Sequence, residues 1–207
     1  SVATEPSVTQ EPSTEPPETE PTEPPTEPDP DAPYRARAEE ILSGMTTEEK
    51  VYQLFMVTPE ALTGVNTATR AGEATQQALS EMPVGGIVYF ADNLETGEQT
   101  AQMIAATQSY SRLPLLIGVD EEGGTVVRVS SNPHLRASKF PSPQKAYASG
   151  GMEAVLADTR EKDLLLSALG FNVNLSPVAD VSTNPADFMY DRTFGQDAAA
   201  TADYVAQ

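Results

Sequence analysis

Apolar residues fall along this chain in two kinds of pattern, and the two alternate. Four stretches carry compact, nearly continuous apolar runs: Val51–Val57, Gly85–Phe90, Leu115–Val119 and the opening of Phe171–Val181. Runs this short predict strands buried on both faces of a parallel sheet. The stretches between them carry helical spacing. Ala36–Gly44 places Ala38, Ile41 and Leu42 on one face and stops at Gly44. Met45–Lys50 opens a second helix, where Thr46 at the N-cap and Glu49 three residues on spell a capping box. Ala68–Met82 predicts a third helix, ended by Pro83, and Thr96–Ser111 a fourth, with Thr100, Met103, Ile104 and Thr107 at helical spacing. Gly151–Leu169 predicts a strong amphipathic helix with Gly170 at the C′ position, and Asp197–Gln207 one more. The Pro-, Ser- and Asn-rich stretch from about Ser130 to Gly150 predicts a long loop.

Strand and helix alternate four times, which predicts βαβ units and a parallel sheet. Asp92, Asp120 and Asp180 follow three of the four strands, at the end where such folds keep their ligand-binding groups. A doubly wound sheet and a (β/α)8 barrel both fit. The sheet would be complete in the residues available, whereas a barrel typically takes about 250, so pattern alone leans towards the sheet.

Chemistry concentrates in Leu115–Arg128, LLIGVDEEGGTVVR. Asp120 stands just past a buried strand, and the Gly123–Gly124 pair lets the backbone turn sharply or lets a ligand approach. The competing reading makes Asp120 a loop cap and the glycines plain turn residues. Asp120, Glu121 and Glu122 do not predict a metal site, because alternate residues of an extended segment point to opposite faces.

Composition divides the 207-residue chain in two. Residues 1–33 hold ten prolines and nine acidic residues, with no Lys, Arg or aromatic side chain. Such a segment cannot bury enough apolar surface to offset chain entropy, and it predicts an extended linker reaching roughly 100 Å. Residues 34–207 are long enough for one sizeable core. The net charge of −19, with twelve basic residues and no basic cluster, argues against a nucleic-acid partner. No apolar run reaches the eighteen or so residues needed to span a membrane. Without cysteine there is neither a disulfide framework nor thiolate chemistry. A Thr/Pro/Glu spacer at a start that is not Met suits a protein held off a cell surface by an N-terminal anchor, so an extracellular or surface-attached location is expected.

Four segments in order now resemble one family. Val119-Asp120-Glu121-Glu122-Gly123-Gly124, with Val126 and Arg128, resembles the Asp-x-Glu-Gly-Gly segment of glycoside hydrolase family 3. Met45-Thr46-x-Glu48-Glu49-Lys50-Val51-x-Gln53-Leu54 resembles its opening helix. Gly170-Phe171-Asn172-Val173-Asn174-x-x-Pro177-Val178-x-Asp180-Val181 resembles its fourth-strand segment, and Asp191-Arg192-Thr193-Phe194-Gly195 its Arg-x-Phe-Gly loop. Pro83–Ile87 and the Asp-Glu-Glu-Gly-Gly spelling are most similar to the β-N-acetylhexosaminidase branch.

The resemblance implies a (β/α)8 barrel of which about the first four βα units are present, over residues 34–207. It implies that Asp120 accepts hydrogen bonds from sugar hydroxyls, that Arg192 spans two hydroxyl oxygens with its fork, and that Arg128 lines the same pocket. Asp180 is expected to anchor a loop, and His134 to be a surface residue. Thr125 stands where many relatives have Arg. A retaining glycosidase needs a nucleophilic carboxylate and a proton donor on the two sides of the scissile bond. In this branch both are expected beyond Gln207, so no catalytic residue is assigned here and the 207-residue chain alone is expected to be inactive. The implied activity is release of terminal β-linked N-acetylglucosamine from cell-wall or chitin-type saccharides, without metal or cofactor. A β-glucosidase of the same family is the sister reading. A catalytically inactive sugar-binding module is the alternative should the natural chain end at 207.

Overall fold

The structure, a computed structural model, describes residues 29–207. The predicted linker, residues 1–33, lies almost wholly outside that range.

Helix α1 (Ala32–Ser43) belongs to a unit of its own and buries no residue. It begins four residues before the predicted Ala36. Asp29 supplies the reason: its backbone carbonyl accepts from Ala32 N at 3.1 Å, and its carboxylate accepts from Asp31 N and Arg35 Nη2, each at 2.9 Å.

The second unit starts at Gly44. Helix α2 (Thr47–Tyr52) opens with the expected capping box: Thr46 Oγ1 accepts from Glu49 N at 3.2 Å, and the Glu49 carboxylate from Thr46 N at 2.8 Å. Val51 and Tyr52, predicted to start a strand, finish this helix instead, and strand β1 is only Met56–Val57. Helix α3 (Pro59–Thr63) lies in a stretch for which no element was predicted, and the predicted Ala68–Met82 helix is the shorter α4 (Glu73–Glu81). Thr58 caps α3, and Gly64, at φ 75°, ends it in the left-handed region. Strand β2 (Gly86–Tyr89), helix α5 (Gly97–Tyr110, capped by Thr96) and strand β3 (Leu116–Val119) follow the prediction within a residue or two.

Helix α6 (Pro143–Leu169) starts inside the stretch predicted as loop. Ser142 at its N-cap and Pro143 in its first turn are ordinary helix openers. Gly150 and Gly151 break it, Gly151 with φ 66° and ψ −155°, and that interruption hid the first turns from a periodicity reading. Strand β4 (Val173–Asn174) and helix α7 (Ala198–Ala206, capped by Asp197) complete the order.

All four strands are parallel, in the order β1-β2-β3-β4. A doubly wound sheet reverses its strand order at a switch point; this sheet never does. The lean towards a doubly wound sheet is thereby corrected. Consecutive strands laid side by side are the arrangement of a (β/α)8 barrel wall, here as four βα units in an open arc. One face of the sheet carries Ile87, Tyr89, Ile117 and Val119, all at most 1% exposed. They pack in one cluster with Leu79 of α4, Met103 and Ile104 of α5, and Leu166 and Leu169 of α6. Each such side chain contributes about 1.5–3 kcal/mol of transfer free energy. On the other face Met56 lies across Gly118, where a Cβ would come within 3.1 Å of its sulfur.

Candidate functional site

The site grows from the C-terminal end of β3. Two asparagines on the neighbouring segment extend the ladder with their side chains. Asn172 Oδ1 accepts from Ile117 N at 2.7 Å while its Nδ2 donates to Leu115 O at 2.9 Å. Asn174 does the same for Glu121, accepting from its N–H at 3.0 Å and donating to its carbonyl at 3.2 Å. The backbone therefore stays ordered past the strand end, through Asp120 and Glu121.

The three consecutive carboxylates then go to three different partners. Asp120 Oδ2 pairs with Arg128 Nη2 at 3.1 Å, and the Arg128 guanidinium lies over the Phe90 ring at 5.1 Å. Arg128 Nε is buried without a hydrogen-bond partner among the described residues. Glu121, fully buried, turns inward. Its Oε2 accepts from Arg128 N at 2.8 Å and Val129 N at 2.7 Å, and its Oε1 from Ser130 N at 3.2 Å and from the Ser130 hydroxyl. Glu122 meets Arg192 in a fork: Nε to Oε2 at 2.9 Å and Nη2 to Oε1 at 2.6 Å. The hydrogen bonds that Arg192 donates to Glu122 raise its pKa further, with the charges of Glu122, Asp120 and Asp180 adding to the negative field around it.

The glycine pair closes the turn. A Cβ on Gly123, at φ 98°, would lie 2.1 Å from Pro141 O, and one on Gly124, at φ 69°, would lie 2.8 Å from Ser142 Cβ. Only glycine fits either position. Buried Lys162 supports the turn from below, its Nζ 3.0 Å from Asp158 Oδ2 and donating to Glu122 O at 3.3 Å. On the far side Gln144 holds the Arg192 loop, donating to Tyr190 O at 2.6 Å and Thr193 O at 3.3 Å. Phe194 anchors the same loop, stacked on Tyr204 of α7 at 4.6 Å and edge-on to Tyr147 of α6 at 5.0 Å.

Of the expected pocket residues, Arg128 is brought directly onto Asp120, while Arg192, 70 positions along the chain from Glu122, joins the same strand end. Asp180 is exposed and, among the described residues, its carboxylate takes part in no hydrogen bond; it acts on Arg192 through its charge rather than as a loop anchor. His134 is exposed on its loop. Sequence reasoning missed the inward role of Glu121 and the Glu122–Arg192 fork. It also missed Lys162, for which the Asp158/Lys162 spacing of opposite charges at i,i+4 was the available signal.

The profile of the glycosyl hydrolase family 3 N terminal domain matches residues 46–207. The chain belongs to glycosyl hydrolase family 3. Within that family it is 33% identical over 120 residues to Beta-hexosaminidase A of Pseudoalteromonas piscicida, an alignment covering 53% of this chain and 19% of the relative. It is 30% identical over 163 residues to Beta-hexosaminidase LpqI of Mycobacterium tuberculosis, covering 77% and 38%. Among solved structures it resembles a glycoside hydrolase family 3 β-N-acetylglucosaminidase from Paenibacillus sp. str. FPU-7, with a TM-score of 0.67 and 30% identity over 78% of this chain and 30% of that one. LpqI of M. tuberculosis superposes with a TM-score of 0.63 and 27% identity over 80% and 45%. The family 3 chain thus spans less than half the length of each of these relatives.

Proposed function

We propose that the full-length protein hydrolyses terminal β-linked N-acetylglucosamine from cell-wall or chitin-type saccharides, and that Asp120, Arg128 and Arg192 hold the terminal sugar. The observation that carries this reading is the pairing of Asp120 with Arg128 beside the Glu122–Arg192 fork, at the C-terminal end of a barrel strand. Each arginine is fixed by a carboxylate and keeps N–H groups that the ion pair does not use, and Asp120 keeps lone pairs for hydroxyls. Charge-assisted bonds of this kind bind hydroxyls more strongly than neutral ones. The names of the relatives above supply the sugar.

Glu121 and Glu122 are committed to backbone amides and to Arg192, so neither is available as nucleophile. We place the nucleophile and the proton donor of a retaining reaction in residues beyond Gln207. We further place the protein outside the cell or on its surface. The acidic Pro/Thr/Glu segment supports that reading, as does 29% identity over 133 residues to a protein of Arthroderma benhamiae named an uncharacterized secreted glycosyl hydrolase. Among the described residues no helix is long and apolar enough to cross a membrane.

The test compares 4-nitrophenyl N-acetyl-β-glucosaminide with 4-nitrophenyl β-glucoside on the full-length protein. The N-acetyl substrate should be preferred, and Asp120→Asn should lower its kcat/KM by roughly a hundredfold, the loss expected when a charged sugar contact becomes neutral. Preference for the glucoside would move the protein to the sister activity; turnover of neither would end the glycosidase reading. A polypeptide of residues 1–207 alone should turn over neither substrate.

A further inference from the structure

Helix α6 has two parts. The long part follows Gly151, and residues 143–149 before it form a short arm. A Cβ on Gly151 would meet nothing within 4 Å, so glycine stands there for its backbone conformation and not for space. The break frees the arm from the axis of the helix behind it.

The arm reaches both backbones that carry the Glu122–Arg192 fork. Ser142, its N-cap, lies against Gly124, two residues past Glu122, and Gly124 N donates to Phe140 O at 2.9 Å. Gln144 and Tyr147, three residues apart and so on one helical face, meet the Arg192 loop. Tyr147 meets it through the Phe194 ring. Gln144 meets it through its amide, whose Nε2 donates to the carbonyls of Tyr190 and Thr193, on either side of Arg192. Gly195 closes over that amide: a Cβ there would lie 2.7 Å from Gln144 Cδ and 2.9 Å from Nε2. The loop thus leaves a bare position for one side chain of the arm. Its own packing is sparse, since residues 183–188 are exposed throughout and burial resumes only at Thr193 and Phe194. Yet Arg192 must meet both Glu122 oxygens, at 2.9 and 2.6 Å, and a shift of about 1 Å would break that fork.

We propose that Gln144 is a positioning residue: from the arm of α6 it holds the Arg192 loop at the distance from the glycine turn that the Glu122–Arg192 fork requires. Its effect on turnover rests on the glycosidase reading above. Gln144 acts through Arg192 and takes no part in the bond changes.

The test uses the full-length protein twice, in hydrogen exchange without sugar and in turnover of 4-nitrophenyl N-acetyl-β-glucosaminide. Gln144→Ala should speed exchange of the Arg192 and Thr193 amides, which donate to Met189 O and Tyr190 O, by roughly tenfold, while Ile117 of β3 holds. Gln144→Glu keeps the shape beneath Gly195 but turns a carboxylate towards two carbonyls, and it should speed the same amides; a side chain that only filled space would tolerate this change. In turnover, Gln144→Ala should lower kcat/KM roughly tenfold in the wild-type background and less than about twofold in an Arg192→Ala background, because its effect runs through Arg192. Exchange within about twofold of wild type in either Gln144 variant, or equal fold losses of kcat/KM in the two backgrounds, would overturn the proposal. Faster exchange in a protein that cleaves no glycoside upholds the role of Gln144 in holding Arg192 and removes only the glycosidase reading.

Discussion

Glu121→Gln is the most informative single change, because the site depends on a side chain that no substrate touches. The wild-type carboxylate receives four donors, two on each oxygen: Arg128 N and Val129 N on Oε2, Ser130 N and the Ser130 hydroxyl on Oε1. In the amide, the end that stays a carbonyl keeps Arg128 N and Val129 N, but as neutral bonds, a loss of about 1 kcal/mol each. The other end becomes NH2 and faces Ser130 N–H, donor against donor, stranding a buried amide at about 1–3 kcal/mol. The Ser130 hydroxyl, which already accepts from Phe140 N at 3.2 Å, can turn to accept from the new NH2 and limits the damage to that one amide. The total is about 3–5 kcal/mol, concentrated on the segment that presents Arg128 to Asp120. Native-state hydrogen exchange reads this locally. The amides of Arg128, Val129 and Ser130 should exchange a hundredfold faster or more, as about 3 kcal/mol requires, while those of Ile117 in β3 change far less. Exchange at the three amides within threefold of wild type would refute the claim that Glu121 holds this turn.

Other perturbations follow from the same geometry. Arg192→Lys keeps the charge but cannot span both Glu122 oxygens, so affinity for an N-acetylglucosaminide should fall roughly tenfold or more by calorimetry, with little change in melting temperature. Gly123→Ala forces a Cβ to 2.1 Å from Pro141 O at φ 98° and should cost about 2–4 kcal/mol in urea unfolding, whereas Gly72→Ala, with nothing within 4 Å, should stay within about 1 kcal/mol. At Glu60, burial is the largest influence and opposes ionisation, but hydrogen bonds from Ala68 N at 2.9 Å and Asn93 Nδ2 at 2.6 Å outweigh it and hold the carboxyl below its usual 4.5. A depressed folded-state pKa stabilises above the unfolded value and is lost as pH falls through the folded one. Thermal unfolding should therefore show wild type losing stability below about pH 4.5 more steeply than Glu60→Gln, and parallel curves would sink this assignment.

Much of the site was legible because its signals are local. A capping box needs four residues, and Thr46–Glu49 contains them. A buried strand ending in Asp120, followed by two glycines, needs ten. Arg192 and Arg128 were legible only by resemblance, since nothing in a single sequence says which arginine meets which carboxylate. Glu121 and Glu122 are adjacent, alike in chemistry and opposite in fate. One faces the interior and the other a residue 70 positions away, and sequence alone could not choose between those directions. The misread elements have local causes too. Val51 and Tyr52 suit a strand as well as a helix end, and the Gly150–Gly151 break masked the start of α6.

The sequence by itself determined the alternation of strand and helix, the caps, the acidic strand end and the glycine turn, because each is decided by side chains within a few residues of one another. Strand order was decided by the tertiary structure. The repeating pattern fits both a reversing sheet and a barrel wall, chain length leaned towards the sheet, and the pairing of β1 through β4 in register tells them apart. Long-range packing likewise assigned each charge its partner. An ion pair across 70 residues depends on where two loops end in space, and local spacing carries no record of that.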